Sequence, residues 1–332
     1  MIILGIETSC DETSASIINN NKLISNVVYT QQIHKKYGGV VPELASQEHL
    51  NEIIDVIDSA LLEANLKIND IDGVAVTYGP GLMGSLLIGL NFVKAISLSL
   101  KIPFLGVNHL EGHLYSNYID NDNVLFPHLC LLVSGGHSQL WLVNSYDEFK
   151  LLGETIDDAA GEAFDKGARI LGLGYPGGPE IDRIAKNGNF EAIKFPRPKV
   201  KGKPYNFSFS GLKTALLYHC NNLNQKQIDG NISDIAASYQ EAIIDSLFIG
   251  MNNVISEYSN IKQIYVSGGV AANTRFRQKS EAFKTELNLD IVFPKLQYCT
   301  DNAAMIAMAG YHKMVNGKKS SIDISPVPNL KL

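Results

Sequence analysis

The stretch HLCLLVSGGHSQLWLV, residues 128–143, sets two apolar runs on either side of Ser134-Gly135-Gly136. Short apolar runs separated by a glycine-rich turn read as a β-hairpin. The N-terminus has the same shape. MIILGIETS and TSASIINN flank the polar turn Cys10-Asp11-Glu12, and KLISNVVYTQ follows as a third strand. Two such hairpins, about half a chain apart, imply a duplicated architecture. Outward from them, residues 42–66 read as a helix with Pro42 near its start. DGVAVTYGPG reads as a buried strand ending in a Gly-Pro-Gly turn, ahead of a helix from Leu82, and IPFLGV as a further strand. Helices are expected over residues 157–171, 178–186, 211–221, 232–258, 273–287 and 301–314, with strands QIYVSGG and DIVFP between them. Strands alternating with helices make an α/β protein. No low-complexity linker divides the halves, and a cleft between two related lobes is the natural place for a ligand.

The chain has 332 residues, 45% hydrophobic and 19% charged, which suits one large or two modest domains with a sizeable core. Cys10, Cys130, Cys220 and Cys299 are scattered with no Cys-x-x-Cys, so a disulfide scaffold is not expected and a reducing compartment is. MIILGIETSCDE has no basic leader. The apolar stretch 81–100 contains Asn91 and Lys94 and reads as a buried helix rather than a membrane span. A soluble cytoplasmic protein without a membrane partner is the expectation. Net charge is −6, which argues against a general nucleic-acid binder. The charge is uneven. Residues 192–228 contain no Asp or Glu, while Lys194, Arg197, Lys199, Lys201, Lys203, Lys213 and Lys226 give +7 and leave −13 on the rest. Such a strip is either a solvated surface loop or a local contact for a polyanion.

Three glycine pairs follow β-like runs or precede helices: Gly135-Gly136, Gly177-Gly178 and Gly268-Gly269. Adjacent glycines let N–H groups converge on an anion, and a helix N-terminus favours phosphate. One such loop is only a turn; three, with ETSCDET, point to a nucleotide site. No Gly-x4-Gly-Lys-Ser/Thr loop and no dinucleotide fingerprint occurs.

NHLEGHLYS, residues 108–116, places His109 and His113 four apart, on one face of a helix. They either pack or bind a metal. A zincin-type protease needs Glu directly after the first His; here Glu111 stands two residues on, about 200° around the helix. The pair therefore lacks a protease's base. Gly112 implies either close backbone approach or a fraying short helix.

The segments GIETSCDETSASI, GGVVPELASQEHL, GPGLMGSLLIG, NHLEGHLYS, LLVSGGHSQL, GETIDDAAGEAFDKGARILGLGYPGGPEID, FSFSGLKTA, VSGGVAANTRFR and YCTDNAAMIA, in order from Gly5 to Ala307, resemble the tRNA N(6)-adenosine threonylcarbamoyltransferases, the TsaD family, in its bacterial and organellar branch. The resemblance implies the two-lobed actin-like, Hsp70-like ATPase (ASKHA) fold, with a duplicated mixed sheet and a central cleft. The expected lobes are 1–115 with 300–325, and 116–299. It implies transfer of a threonylcarbamoyl group from threonylcarbamoyl-AMP to the exocyclic amine of adenosine 37 in tRNAs reading ANN codons. It also implies a TsaB-like paralogue and a TsaE-like ATPase as partners.

By the same resemblance Asp301, in CTDNAA, is the third metal ligand beside His109 and His113. Two imidazoles and a carboxylate leave coordination positions open, which suits one divalent ion, Fe2+ or Zn2+. Leu132, Val133, Ser134, Gly135 and Gly136 are expected to contact the substrate, with Asp165, Gly178, Asp182 and Asn273 around its nucleoside. Asp11 is either the acceptor of the amine proton or a simple turn acid. His137 and Lys213 are weaker candidates, and Cys299 and His49 are expected to be structural. Three other readings stay open: a small-molecule kinase of the same fold, a metalloprotease, and a degenerate scaffold, which would lack His109, His113 and Asp301.

Overall fold

The computed structural model describes residues 1–121 and 123–332, the side chain of Lys35 excepted. The chain forms two compact units, unit 1 of Met1–Val124 with Pro294–Leu332 and unit 2 of Leu125–Phe293.

Unit 1 holds a sheet of β1 (Ile2–Glu7), β2 (Glu12–Asn19), β3 (Lys22–Thr30), β4 (Gly73–Gly79) and β5 (Phe104–Asn108), in the order β3-β2-β1-β4-β5. The β1–β2 and β2–β3 pairs are antiparallel, and β1–β4 and β4–β5 parallel. Unit 2 holds β6 (His128–Val133), β7 (Ser138–Ser145), β8 (Glu148–Glu154), β9 (Gln263–Ser267) and β10 (Asp290–Val292), in the order β10-β9-β6-β7-β8. Here β6–β7 and β7–β8 are antiparallel, and β6–β9 and β9–β10 parallel. Taken from opposite edges, the two sheets repeat strand for strand, so the duplication legible in the hairpins extends to whole sheets. The strand β8 was not expected. It is an edge strand whose residues are mostly exposed, so it lacks the apolar run that marks its neighbours.

In unit 1 successive residues of β1 point to opposite faces. Leu4 and Ile6 join a core with Ile53 and Ile57 of α1 (Pro42–Glu63) and Leu90 and Val93 of α2 (Met83–Leu100). Gly5, between them, faces α9 (Ala303–Val315); a Cβ there would lie 2.6 Å from the Ala307 Cβ. The missing side chain lets α9 lie directly on the sheet. The α2 helix is long and apolar enough to cross a membrane by length and composition. Its stripe of Ser85, Leu86, Gly89, Leu90 and Val93 is buried within unit 1.

The unit boundaries differ from the expected lobes at both junctions. The Tyr115 ring meets Tyr118 edge-on at 5.0 Å and His312 of α9 at a tilt at 5.5 Å, which keeps the chain after residue 115 with unit 1. The C-terminal tail also stays there, with Val327 N–H donating to the Tyr78 carbonyl (2.8 Å) and Gly81 N–H to that of Pro328 (3.1 Å).

In unit 2 the helices are α4 (Ala160–Ile170), α5 (Gly177–Ala185), α6 (Ser210–Asn221), α7 (Gln225–Glu257) and α8 (Thr274–Leu287). Asp157 was expected inside α4 and lies before it. Its carboxylate instead accepts from Ser208 Oγ (2.6 Å) and Phe209 N–H (2.8 Å), capping the start of α6. The α7 helix starts seven residues before the expected Ile232, where Asn224 caps it by accepting from Gln227 N–H at 3.0 Å. Polar QKQIDGN, with Gly230 inside, masks that first part of the helix.

His128 is buried in unit 2, its Nδ1 donating to the Leu125 carbonyl at 2.9 Å and its ring 4.5 Å from Tyr265. Burial pushes its pKa down to about 4, and the Leu125 carbonyl only partly opposes this. The unfolded chain takes up this proton near pH 6.5 and the folded chain does not. Stability from this group is therefore complete above pH 6.5 and falls as pH drops toward 4, by up to about 3 kcal/mol. Urea unfolding of His128→Gln across this range is expected to show a shallower loss of stability than the native chain. An unchanged slope would assign the acid sensitivity elsewhere.

Candidate metal centre and substrate loops

Helix α3 (His109–Tyr115) begins directly after β5, where the Asn108 side chain accepts from Leu110 N–H at 2.8 Å. This cap fixes His109 in the first turn and His113 one turn on. Gly112 sits between them with a close neighbour: a Cβ there would lie 2.6 Å from Ile306 Cδ1 and 3.2 Å from Met305 Cγ. Of the two readings of this glycine, close packing holds, and the neighbour is α9.

Asp301 was expected at the start of α9. The cap is instead Asn302, whose Oδ1 accepts from Met305 N–H at 3.2 Å, so Asp301 ends the preceding loop. Its Oδ1 lies 3.1 Å from His113 Nε2 and 3.5 Å from His109 Nε2. One ligand atom from each of the three residues falls within 4.8 Å of the others. His113 is 1% exposed; its Nδ1 has no hydrogen-bond partner, and its Nε2 has the Asp301 carboxylate beside it at 3.1 Å without a well-aligned hydrogen bond. Such unsatisfied buried nitrogens are costly unless something else is bound. Two imidazoles and a carboxylate, with a buried and unsatisfied donor among them, fit a divalent cation.

Glu7 is a residue that sequence reading missed. Fully buried at the end of β1, it accepts from His109 Nδ1 (3.1 Å), Thr77 Oγ1 (2.5 Å) and Ser9 N–H (2.5 Å). Because Glu7 takes Nδ1, the Nε2 of His109 is the atom turned toward Asp301. Burial pushes the His109 ring pKa down, but Asp301 and Glu7 outweigh it and raise it to about 9. Burial likewise opposes ionisation of Glu7, yet the charge and hydrogen bond of His109 hold it below the usual value. The sequence signal was a lone acid at the end of an apolar strand, where only burial distinguishes a partner from a surface charge.

Asp11 lies in the β1–β2 turn beside Glu12. Burial, then Asp301, then Asp11, push the Glu12 carboxyl well above the usual carboxylate range. His49, expected to be structural, anchors this turn, with Nε2 3.0 Å from the Cys10 carbonyl and Nδ1 2.7 Å from Thr13 Oγ1. A carbonyl only accepts, so Nε2 carries the proton and Nδ1 accepts from Thr13. Cys299 is buried. Glu111 faces away from the pair and bonds Lys313 Nζ at 2.6 Å. The protease base is therefore absent from the metal side of α3.

In unit 2, Leu132 and Val133 are fully buried strand residues paired to β7, and Leu132 to β9 as well. Only backbone is left for them to offer a ligand. The exposed part of the loop is Gly135 and Gly136. Ser134 accepts from Gly161 N–H at 3.2 Å, which ties the loop to the start of α4. His137 closes it, its carbonyl accepting from Ser134 N–H at 2.8 Å. Asp165 was expected to face a nucleoside. One oxygen of its carboxylate accepts from Gly177 N–H at 2.7 Å at the start of α5. Burial raises its pKa, against the Gly177 and Gly178 amides. A Cβ at Gly178 would meet only Phe164 Cβ, at 3.9 Å, so space opens there. Asn273 caps α8, accepting from Phe276 N–H at 2.9 Å and donating to Gln240 Oε1 at 2.7 Å. Asp182 accepts from Thr274 Oγ1 at 2.8 Å and, with Gln240 and Thr274, lines a cavity of about 230 Å³.

The cationic strip is smaller than its sequence count. Arg197 pairs with Asp245 at 2.6 Å, whereas Lys194, Lys199, Lys201, Lys203 and Lys226 are exposed and Lys213 is partly so.

Residues 22–308 match the family profile of TsaD, tRNA N6-adenosine threonylcarbamoyltransferase. Curated proteins of that name are similar along the whole chain. That of Caldicellulosiruptor saccharolyticus is 50% identical over 100% of this chain and 98% of its own length. That of Thermosipho africanus is 50% identical over 100% of both. That of Clostridioides difficile is 47% identical over 100% of this chain and 98% of its own length. Among solved structures, HypF of T. kodakarensis superposes with a TM-score of 0.64 at 15% identity, over 95% of this chain and 48% of that one. Component A of the Acidaminococcus fermentans (R)-2-hydroxyglutaryl-CoA dehydratase does so with a TM-score of 0.56 at 15% identity, over 95% and 99%. These two share the ASKHA-type fold with this chain.

Glu7→Gln keeps the shape of the side chain and removes the charge that orients His109. It is expected to weaken Zn2+ binding about 10- to 100-fold in competition with a chromophoric chelator. Native affinity in this variant would show that Glu7 is only a core residue.

Proposed function

The chain belongs to the tRNA N6-adenosine threonylcarbamoyltransferase family, and from that premise we propose how its own residues divide the work. It is a transferase that forms threonylcarbamoyladenosine in tRNA, and the family is metal-dependent. His109, His113 and Asp301 hold one divalent cation, with Fe2+ favoured and Zn2+ the alternative. The observation that carries this is buried His113, whose Nδ1 has no partner and whose Nε2 faces the Asp301 carboxylate at 3.1 Å without a well-aligned hydrogen bond. When bound, the cation supplies Lewis-acid charge beside the phosphate or carbamoyl oxygen of the donor.

The donor is threonylcarbamoyl-AMP. The exocyclic amine of adenosine 37 attacks the carbamoyl carbon, and the bond from that carbon to the phosphate oxygen breaks. AMP leaves with the electron pair, and the Asp11 carboxylate takes the amine proton. AMP is a good leaving group, so the protein's main task is to orient a weak nucleophile. Gly135 and Gly136, with the backbone of Leu132, Val133 and Ser134, approach the donor. Gly178 leaves room for its base, and Asp165, Asp182 and Asn273 border its nucleoside. For Asp165 this leaves the lone pairs that the Gly177 and Gly178 amides do not take. Exposed Lys199, Lys201 and Lys203 offer charge to tRNA phosphates. A TsaB-like paralogue and a TsaE-like ATPase complete the assembly; exposed Leu50 and Ile54 on α1 and Met83 and Leu87 on α2 are apolar surface open to a partner.

The test combines the protein, these partners, threonylcarbamoyl-adenylate and an unmodified tRNA reading ANN codons, with mass spectrometry of the digested nucleosides. Native protein is expected to yield the modified adenosine. His113→Ala is expected to lose about 100-fold or more in rate, and Asp11→Asn about 100- to 10,000-fold. Full turnover by His113→Ala would remove the metal from the reaction, and full turnover by Asp11→Asn would leave that residue a turn acid.

Neutralising Lys199, Lys201 and Lys203 together is expected to lower the slope of log affinity against log salt for tRNA by about 2 to 3. Arg197, already paired, is expected to contribute nothing to that slope. Identical salt titrations of native and triple variant would take the strip out of the tRNA site.

A further inference from the structure

Glu111 is 2% exposed, on the face of α3 opposite its two histidines. Its Oε2 bonds Lys313 Nζ, near the end of α9, at 2.6 Å. Besides the Tyr115–His312 ring contact, the two helices meet at three further levels. Asp301, just before α9, faces His109 and His113; Met305 and Ile306 press on Gly112; Lys313 reaches Glu111. The middle contact is apolar and set against a glycine, so it brings the helices close without fixing how far one slides along the other. The outer two contacts are directional. The first of them is the ligand set itself, two imidazoles facing one carboxylate, and the second is the Glu111–Lys313 pair.

We propose that Glu111 and Lys313 form a positioning pair that sets the slide of α3 on α9 and thereby brings the two imidazoles to Asp301. This rests on the reading of His109, His113 and Asp301 as a metal site. The chemistry of the pair supports a locating role. An ionised carboxylate this deeply buried needs a cation or hydrogen-bond donors beside it, and Lys313 supplies the cation at 2.6 Å, so the pair favours one arrangement over others. An apolar pair would tolerate sliding by a fraction of a turn. Neither residue needs to touch substrate or metal, and the effect is on ligand geometry alone.

The experiment measures Co2+ and Zn2+ affinity by chelator competition, the Co2+ absorption spectrum, and thermal unfolding in EDTA. The full-length native chain is compared with Lys313→Arg, Lys313→Met, and Glu111→Gln combined with Lys313→Met. Lys313→Met is expected to weaken Co2+ binding about tenfold or more and to alter the ligand-field bands. Lys313→Arg, which keeps the charge, is expected to bind within about threefold of native. The double variant also removes the charge of Glu111 that Lys313→Met would leave uncompensated, so its metal-free form is expected to melt near the native temperature while its Co2+ affinity stays low. That combination separates positioning from general stability, and it carries the test if Lys313→Met fails to fold. Native affinity and spectrum in the double variant would overturn the pair and leave the metal site standing. A native chain that binds neither ion would overturn the site, and the pair with it.

Discussion

Asp301 and His109 are far apart in sequence, yet one carboxylate oxygen lies within 3.5 Å of both imidazole Nε2 atoms. Everything else in unit 1 bears on that meeting. The histidines stand on a seven-residue helix that is wholly buried, and a helix so short has little stability of its own. It persists because Asn108 caps it, β5 feeds it and α9 covers it. The α9 helix in turn lies close on the sheet because Gly5 has no side chain, and close on α3 because Gly112 has none. Glu7 completes the arrangement from the sheet side by taking the outer nitrogen of His109. The negative charges of buried Glu7 and partly buried Asp301 together raise the His109 ring above its ordinary range, against the effect of its burial.

Unit 2 shows a different economy of polar groups. Several side chains that suit a nucleoside are already engaged by their own chain. Asp165 accepts from the first amide of α5, Asn273 caps α8 and reaches Gln240, and Asp182 accepts from Thr274. These bonds fix the side chains in place before a ligand arrives, which lowers the entropy that binding must overcome. In the proposed site, the remaining lone pairs and the open space over Gly178 would be left for the nucleoside. The loop at Ser134 is held in the same way, by His137 across its neck and by Gly161 from α4.

Much of this was legible in the residues. The paired hairpins gave the duplication, and the strand order of both sheets follows it. The absence of Glu next to His109 already argued against a protease, and Glu111 does face Lys313 instead. What escaped notice had weak local signals. The β8 strand has no apolar stripe because it lies at an edge. The first turns of α7 are polar and contain Gly230. Asp157 and Asp301 both stand just outside the helices expected to begin with them: Asp157 accepts from Phe209 N–H at the start of α6, while Asn302 caps α9 and leaves Asp301 facing the histidines.

Sequence by itself determined the pattern: which runs are apolar, where the turns fall, which side chains carry chemistry, and which family they belong to. Those features are local, set by period, turn residues and the identity of each group. Only the tertiary structure decided which groups face one another. It alone brought Glu7 to His109, Lys313 to Glu111 and Arg197 to Asp245, and it set the distances at which Asp301, expected from the family resemblance, faces the histidine pair. Each of these is a contact between residues remote along the chain, and its strength comes from burial. Burial is a property of the packed fold and of no single stretch of sequence.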